Sequence, residues 1–489
     1  MSSSSSSSNK GGETEGSSEP STVESSFADG IRRNDVSVTE VSRFYECRSV
    51  TDSSGAVEIL DALKYNSTVK KVSILQLLEN QEALNKLSEV MKYNTSVECL
   101  HICLKRGLLR ERIFAAASGG WSSIQELVLY DPFRFPFGFL SLTEAEHLSS
   151  FISLSENLRT LSLDVAGHET TIIMETLSRT KVQNLNIRLH SPFTLQNGGR
   201  RFTTALERCT CITELRLEFP PYNDQVEFFQ QVLLLLDSIP KMLGLKKVVL
   251  QISCSVDRQF FDLVGQCIGG HQGEIEELRL IFNLSSVNSS MVGLAPALRR
   301  LKVIRFHGYA ALTLHAMDEL SGVVADCDSL EEFCYNLALL SRGLHTEDFK
   351  AICQLLSKFP SLKRVTQDQV RGGVDFRQEN RFVAFLEMVK TSKTIEQVPK
   401  FRCSNAEEEA AITQHCHNNM MRNQIKLIRK KGLLAATVPS SAWPLILKEF
   451  SAMPDVLYYL LQQKHGAMIG PALRAIVAND SSTLVRVYI

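Results

Sequence analysis

The sequence predicts an α/β solenoid in which a parallel sheet lines one side and helices the other. Two observations predict it. A strand-like phrase, apolar-x-x-apolar-x-apolar, returns about every 24 to 34 residues from Val69 to about Lys400. Before each phrase lies an apolar stretch at helical spacing, such as Val57, Leu60 and Leu63 or Leu84, Leu87, Val90 and Met91, often ended by Asn or Ser. Each unit therefore reads helix, turn, strand. A strand that is apolar on one face cannot be covered by its own helix alone, so stacked units bury each other's edges and the sheet lines the inner, concave side of an arc.

The clearest pair of units is Lys64-Tyr65-Asn66-Ser67-Thr68-Val69-Lys70-Lys71-Val72-Ser73-Ile74 and Lys92-Tyr93-Asn94-Thr95-Ser96-Val97-Glu98-Cys99-Leu100-His101-Ile102. The same apolar frame recurs as Ile124/Leu127/Leu129, Leu158/Leu161/Leu163, Val182/Leu185/Ile187, Ile212/Leu215/Leu217, Leu245/Val248/Leu250, Ile275/Leu278/Leu280, Leu301/Ile304/Phe306 and Leu330/Phe333/Tyr335. It fades at Leu362/Val365/Gln367 and Ile395/Val398/Lys400. These units resemble leucine-rich repeats of the long, ribonuclease-inhibitor-like type over residues 35–403, about twelve units. The resemblance implies a right-handed α/β horseshoe with an inner parallel sheet and outer helices. Three residues after the third apolar position the family places Asn or Cys, whose side chain bonds the turn backbone. Here Asn283 and Cys403 comply, while Leu77, Lys105, Pro132, Ala166, His190, Pro220, Ser253, Tyr309, Ala338 and Val370 do not. The expectation is a ladder of buried side-chain bonds that is largely missing, with irregular convex turns.

Residues 1–34 form a Ser-rich tail, with Ser2 to Ser8 at its start and few apolar residues to offset the entropy of ordering, so disorder is expected there. Its serines are candidate phosphorylation sites, and a plain solvated tail is the alternative. Residues 404–489 depart from the repeat. Ser404-Asn405-Ala406-Glu407 makes a capping box, Glu407 to Glu409 and Arg429 to Lys431 match a helix dipole, and Gly432 closes the far end, so one long helix is expected to cap the solenoid. A small helical module follows. Asn418-x-x-x-Arg422, Val438-Pro439 and Trp443-Pro444-x-x-Leu447 are similar to the tail of uncharacterised leucine-rich-repeat proteins of diatoms.

Chemical signatures are few. The 489 residues are 44% hydrophobic and 22% charged with a net charge of −1, enough for a long core and without a basic stripe for nucleic acid or anionic membrane. Neither a secretory leader nor a stretch of eighteen uncharged apolar residues is evident, so a cytoplasmic location is expected, with the nucleus as the alternative. The twelve cysteines lack a Cys-x-x-Cys spacing, and Cys99, Cys209, Cys267 and Cys353 lie in or beside apolar patterns as small hydrophobes. His415-Cys416-His417 is the one tempting metal cluster, but adjacent helical residues point about 100° apart. Gly269-Gly270-His271-Gln272-Gly273 reads as a loop and not as a phosphate cradle. No cofactor, metal, catalytic residue or small-molecule substrate is expected.

The function expected is therefore that of a non-catalytic scaffold or receptor for a protein partner, held on the concave sheet face. The middle residue of each phrase gives the column Ser73, His101, Val128, Ser162, Asn186, Arg216, Val249, Arg279, Arg305, Cys334, Thr366. The partner-binding candidates are Lys71, His101, Tyr130, Arg188, Glu214, Arg216, Glu218, Glu277, Arg279, Arg305 and His307. Arg216, Arg279 and Arg305 stand out because Arg is enriched at interface hot spots. Cross-strand surface pairing with the neighbouring glutamates is the alternative for the same residues. Val438-Pro439-x-x-Ala442-Trp443-x-x-Ile446-Leu447-x-x-Phe450 also has the spacing with which an F-box begins, which would make the chain a substrate receptor of a ubiquitin ligase. Ribonuclease-inhibitor-like repeats also resemble GTPase-activating proteins that act on Ran, which implies a third class, activation of a small GTPase.

Overall fold

A computed structural model describes residues 22–41, 53–75, 81–103, 115, 119–129, 141–165, 170–189, 198–219, 225–253, 256–282, 290–308, 319–335, 346–366, 374–375, 379–399, 401–402 and 406–430. They belong to two compact units, Met1–Val182 and Gln183–Ile489. The first contains α1 (Thr22–Arg32), β1 (Glu40–Val41), α2 (Ser53–Leu63), β2 (Lys71–Leu75), α3 (Gln81–Tyr93), β3 (Cys99–Cys103), β4 (Glu126–Leu129), α4 (Leu142–Leu154), β5 (Thr160–Val165) and α5 (Thr170–Leu177). The second contains β6 (Asn184–Leu189), α6 (Gly198–Glu207), β7 (Glu214–Phe219), α7 (Gln225–Leu236), β8 (Lys247–Ile252), α8 (Arg258–Gly269), β9 (Glu277–Phe282), α9 (Ala295–Leu298), β10 (Val303–Gly308), β11 (Glu332–Tyr335), α10 (Thr346–Ser357), β12 (Arg364–Thr366), β13 (Val374–Asp375), α11 (Glu379–Thr391), β14 (Phe401–Arg402) and α12 (Ala406–Lys430). In each unit the strands pair in parallel and in chain order, with helices on one side. The fold is an α/β leucine-rich-repeat solenoid.

One backbone device recurs at the entry to the strands. The carbonyl of the residue before a strand accepts two successive N–H groups from the next repeat: Lys70 O takes Glu98 N and Cys99 N at 2.8 and 3.0 Å, and Glu98 O takes Gln125 N and Glu126 N at 2.7 and 3.0 Å. In the second unit the same pairing links Gln183 to Glu214, Thr213 to Lys247, Lys246 to Glu277, Glu276 to Val303, Lys302 to Glu332 and Glu331 to Arg364. These bonds fix each strand's register before its own ladder begins, because a slip would orphan two donors at once. The pairing persists where the phrase fades, as Lys363 O accepts from Glu396 and Gln397, and the last repeat is joined by the bridge of Arg364 to Gln397 and by the short pairing of β13 with β14.

The apolar frame forms the core. Val97, Leu100, Ile124, Leu161, Leu185, Leu215, Val248, Leu278, Ile304, Leu330, Leu362 and Ile395 are all buried, as are Leu60, Leu63, Leu84, Leu87, Val90 and Met91 on the helices. Where α8 meets the following turn, the chains touch: a Cβ on Gly265 would lie 1.7 Å from Gly293 O. Gly120, at φ +76°, occupies the left-handed region at the turn before Trp121.

A polar ladder does exist, but at the turn that enters the strand. Asn94 Nδ2 donates to Leu63 O and Asn66 O of the preceding repeat at 2.6 and 3.0 Å, while its Oδ1 accepts from Ser96 N and Val97 N. Asn66 does the same toward Ile31 O, Thr68 N and Val69 N, and buried Trp121 Nε1 donates onward to Asn94 O at 2.9 Å. His271 takes this role in the second unit: Nδ1 accepts from Gly273 N at 2.9 Å, so Nε2 carries the proton and donates to Met242 O at 3.1 Å. The glycine-bearing segment around it is indeed a turn, clasped by Arg300, which donates to the carbonyls of Gly269 and Gly273. Of the strand-exit positions where a ladder was expected to be missing, Ser253 alone is described; its N–H bonds Phe219 O.

The two ends compare differently with expectation. Helix α1 begins inside the stretch expected to be disordered to residue 34. Ala28 and Ile31, at helical spacing, are buried, and α1 packs on α2, so order starts earlier than the residue-35 boundary. Residues 1–21 lie outside the described residues. At the other end α12 fills the span expected for one long helix and lies on α11. Its buried Asn419 donates to Ser392 O and Ile395 O at 2.8 and 3.0 Å, closing the last turn of the ladder. The box residues Ser404 and Asn405, Lys431, Gly432 and the whole segment 433–489 lie outside the described residues.

Replacing Asn94 by Ala takes their acceptor from the N–H groups of Ser96 and Val97 in the core and one donor each from the carbonyls of Leu63 and Asn66, which keep Asn66 N and the Ser96 hydroxyl. Urea unfolding of the first unit should show a loss of about 2–3 kcal/mol, against less than about 0.5 kcal/mol for the exposed neighbour in Thr95→Ala. Gly265→Ala should destabilise the second unit by about 1–3 kcal/mol through overpacking, whereas an Ala at open Gly322 should not.

Candidate functional site

The face of the sheet turned away from the helices carries the polar residues. The register places Ser73, His101, Val128 and Ser162 side by side in the first unit, and Asn186, Arg216, Val249, Arg279, Arg305, Cys334 and Thr366 in the second. A flanking column runs Asn184, Glu214, Lys247, Glu277, Val303, Glu332, Arg364, and another Arg188, Glu218, Gln251, Ile281, His307.

Charges on this face are interlaced across strands. Lys247 pairs with Glu214 at 3.1 Å and Arg188 with Glu218 at 3.2 Å. Arg305 bridges Glu277 at 3.1 Å and Glu332 at 2.7 Å, and Arg364 completes the chain to Glu332 at 3.0 Å. Glu332 is only 5% exposed, so the two guanidiniums and the Thr366 hydroxyl satisfy a carboxylate that would otherwise be costly to bury. Arg216 reaches Gln251, a neutral partner. Arg279 is the least anchored of the three central arginines: one Nη2 bond to Glu277 at 3.3 Å holds it, its Nε is buried without a hydrogen-bond partner, and its side chain is 31% exposed.

Several expected contact residues are less available than a strand pattern implies. Val128, Val249 and Cys334 are buried under their longer neighbours, and His307 is 8% exposed, so little of it is offered to a partner. Tyr130 lies outside the described residues. Lys71, Arg188, Glu214, Arg216, Glu218, Glu277, Arg279 and Arg305 are half-buried.

The first unit holds a different chemistry on the same face. Cys99 and His101 project from β3 two residues apart, and Glu126 on β4 is the register partner of Cys99. The thiol, imidazole and carboxylate atoms lie within 4.8 Å of one another, each residue half-buried. Burial and the adjacent Glu126 carboxylate, which accepts from the thiol, push Cys99 up to about 12. Burial and then the Lys71 ammonium hold His101 below the usual imidazole value. Lys71 itself is raised by its bond to Glu40, at 2.9 Å. This cluster escaped the sequence reading although its signal was present: Cys99 and Glu126 occupy the same position of consecutive phrases.

The other features singled out in the sequence separate in space. On α12, Cys416 is buried, His417 is exposed and His415 lies between, so the three do not converge. Cys209, Cys267 and Cys353 are buried, and burial raises all three thiols. On the helical side, an open groove of about 740 Å³ lies between α10 and α11, lined by Glu347, Lys350, Cys353, Val383 and Glu387 among others, a mixture with no convergent chemistry. Among the described residues no helix is long and apolar enough to cross a membrane.

No protein-family model and no curated protein matches the chain. Among solved structures it is similar to the leucine-rich-repeat-containing protein LegL7 from Legionella pneumophila, at 13% identity over 68% of this chain and 93% of that one with a TM-score of 0.37. It is similar also to TLR13 in its complex with ssRNA13, at 10% identity over 74% and 50% with a TM-score of 0.34. A third is Rad7 in its complex with Elc1 in yeast, at 13% identity over 73% and 79% with a TM-score of 0.34. These likenesses concern the fold alone.

Thiol exposure gives a direct check on the packing around these groups. With a disulfide reagent at pH 8, exposed Cys211 should label first among the described cysteines, and Cys209 and Cys353 only as the chain unfolds. Equal labelling rates read by peptide mass would contradict the burial.

Proposed function

We propose that the chain is a non-catalytic protein-interaction scaffold or receptor of the ribonuclease-inhibitor-like type, with a protein partner docked on the open sheet face of the second unit. The observation that carries this reading is the shared column of Arg216, Arg279 and Arg305, set among Glu214, Glu277 and Glu332. Planar guanidiniums set along one column of the sheet, with Val249 of β8 between Arg216 and Arg279, match a partner surface of acidic or mixed charge, and such pre-ordering lowers the entropy cost of docking. The lattice of internal pairs neutralises much of the charge, so orientation and specificity, more than long-range attraction, are what this face offers. Arg279, held by one long bond, has most to gain from a partner's carboxylate.

The compartment that suits this reading is the cytoplasm or nucleus, where the thiols stay reduced. The F-box-like segment around Leu447 and Phe450 supports a second proposal, recruitment of a ubiquitin-ligase scaffold. That proposal stands if cullin-complex subunits co-purify with the chain and are lost on Leu447→Asp/Phe450→Asp, and falls if they are absent from the parent.

Proteins captured with the native chain should be compared with those captured by a folded Arg279→Glu variant. Affinity for the partner should fall more than roughly tenfold, the scale of a hot-spot loss. Unchanged affinity in Arg279→Glu and in the triple Arg216/Arg279/Arg305→Glu variant would remove the interface from this face.

A further inference from the structure

We propose that Cys99, His101 and Glu126 form a binding site for a divalent cation of the zinc class on the open sheet face of the first unit, separate from the arginine column of the second. The donor set is one soft thiolate, one imidazole and one carboxylate, the ligand types that zinc accepts together and that calcium or magnesium do not favour. Geometry brings them together without any loop: residues two apart on β3 share a face, and the parallel register sets Glu126 beside Cys99. Their atoms lie within 4.8 Å of one another. A tetrahedral ion with bonds of about 2.0–2.3 Å holds its ligands about 3.3–3.8 Å apart, so side-chain rotation of the order of 1 Å closes the site while the strands stay fixed.

Charge is balanced as well. A thiolate and a carboxylate supply two negative charges against the two of the cation, and the Cys99 proton leaves to solvent as the metal takes its place. The nearby cation Lys71 already pairs with Glu40 at 2.9 Å. Three protein ligands leave the fourth position facing away from the core, open to a water. A half-buried thiol on this strand needs neither a carboxylate nor an imidazole at these places for packing.

The test uses the full chain stripped with a chelator and titrated with Zn2+ against a chromophoric competitor, then with Co2+ under absorption. One Zn2+ per chain is expected. Cys99→Ser and His101→Gln should each weaken it on the order of a hundredfold, at least the loss seen when a metal's outer partners are removed. The Co2+ complex should show a thiolate charge-transfer band that Cys99→Ser lacks and Cys211→Ser keeps. Circular dichroism establishes that each variant is folded; if Cys99→Ser is not, His101→Gln decides by the same affinity reading. The proposal is overturned if both folded variants bind Zn2+ with the parent's stoichiometry and affinity, or if the parent holds none at roughly ten micromolar free Zn2+, a weak limit for a three-ligand site.

Discussion

Each strand among the described residues is short, two to six residues, and cannot hold its own register. Register comes from the carbonyl just before the strand, which accepts two consecutive N–H groups of the next repeat. Every functional feature of the sheet face inherits its position from that bond pair, because side chains alternate and a slip of one residue would turn the polar columns into the core. The entry-turn ladder of Asn66, Asn94 and Trp121, and of His271 further on, comes a few residues before these carbonyls in each repeat and satisfies groups that the turn leaves over. Backbone pairing and buried side-chain pairing thus fix one and the same geometry.

On that frame the two units carry different surfaces. In the second, Glu277, Arg305, Glu332 and Arg364 form an unbroken chain of ion pairs across four strands, mutually restrained and running from buried Glu332 to exposed Arg364. Such a lattice contributes little to stability at its exposed ends and more where Glu332 is enclosed. Its main consequence is that the arginines stand in fixed orientations. In the first unit the described residues of the equivalent face bring Cys99, His101 and Glu126 together.

Much of this was legible in the residues. The apolar frame named the core positions from Val69 to Ile395, and alignment of the phrases named the residues of each column, because a parallel sheet of equal repeats must pair like with like. Which partner each charge takes was not legible: cross-strand pairing with the neighbouring glutamates was the alternative for the arginines, and Arg305 does pair so with Glu277 and Glu332, yet Arg216 chose neutral Gln251 and Arg279 chose Glu277 on its own strand, since side chains two along are about as near as those on neighbouring strands. Helix α1 was hidden by its Ser-rich surroundings, with Ala28 and Ile31 too brief a pattern to outweigh composition. The polar ladder was sought after the strand, on the strength of the resemblance, while the Asn-x-x-apolar signal before the strand stood in plain view at Asn66 and Asn94.

The register is best tested by a cross-link that only it permits. Arg305 is the register partner of the native Cys334, and neighbouring strands stand close enough for a disulfide, whereas positions two residues away exceed about 7 Å. Under mild oxidation Arg305→Cys should bond to Cys334, while Val303→Cys, on the same face, should not. Equal cross-linking of both, or a bond formed only from position 303, would contradict the register on which the columns rest.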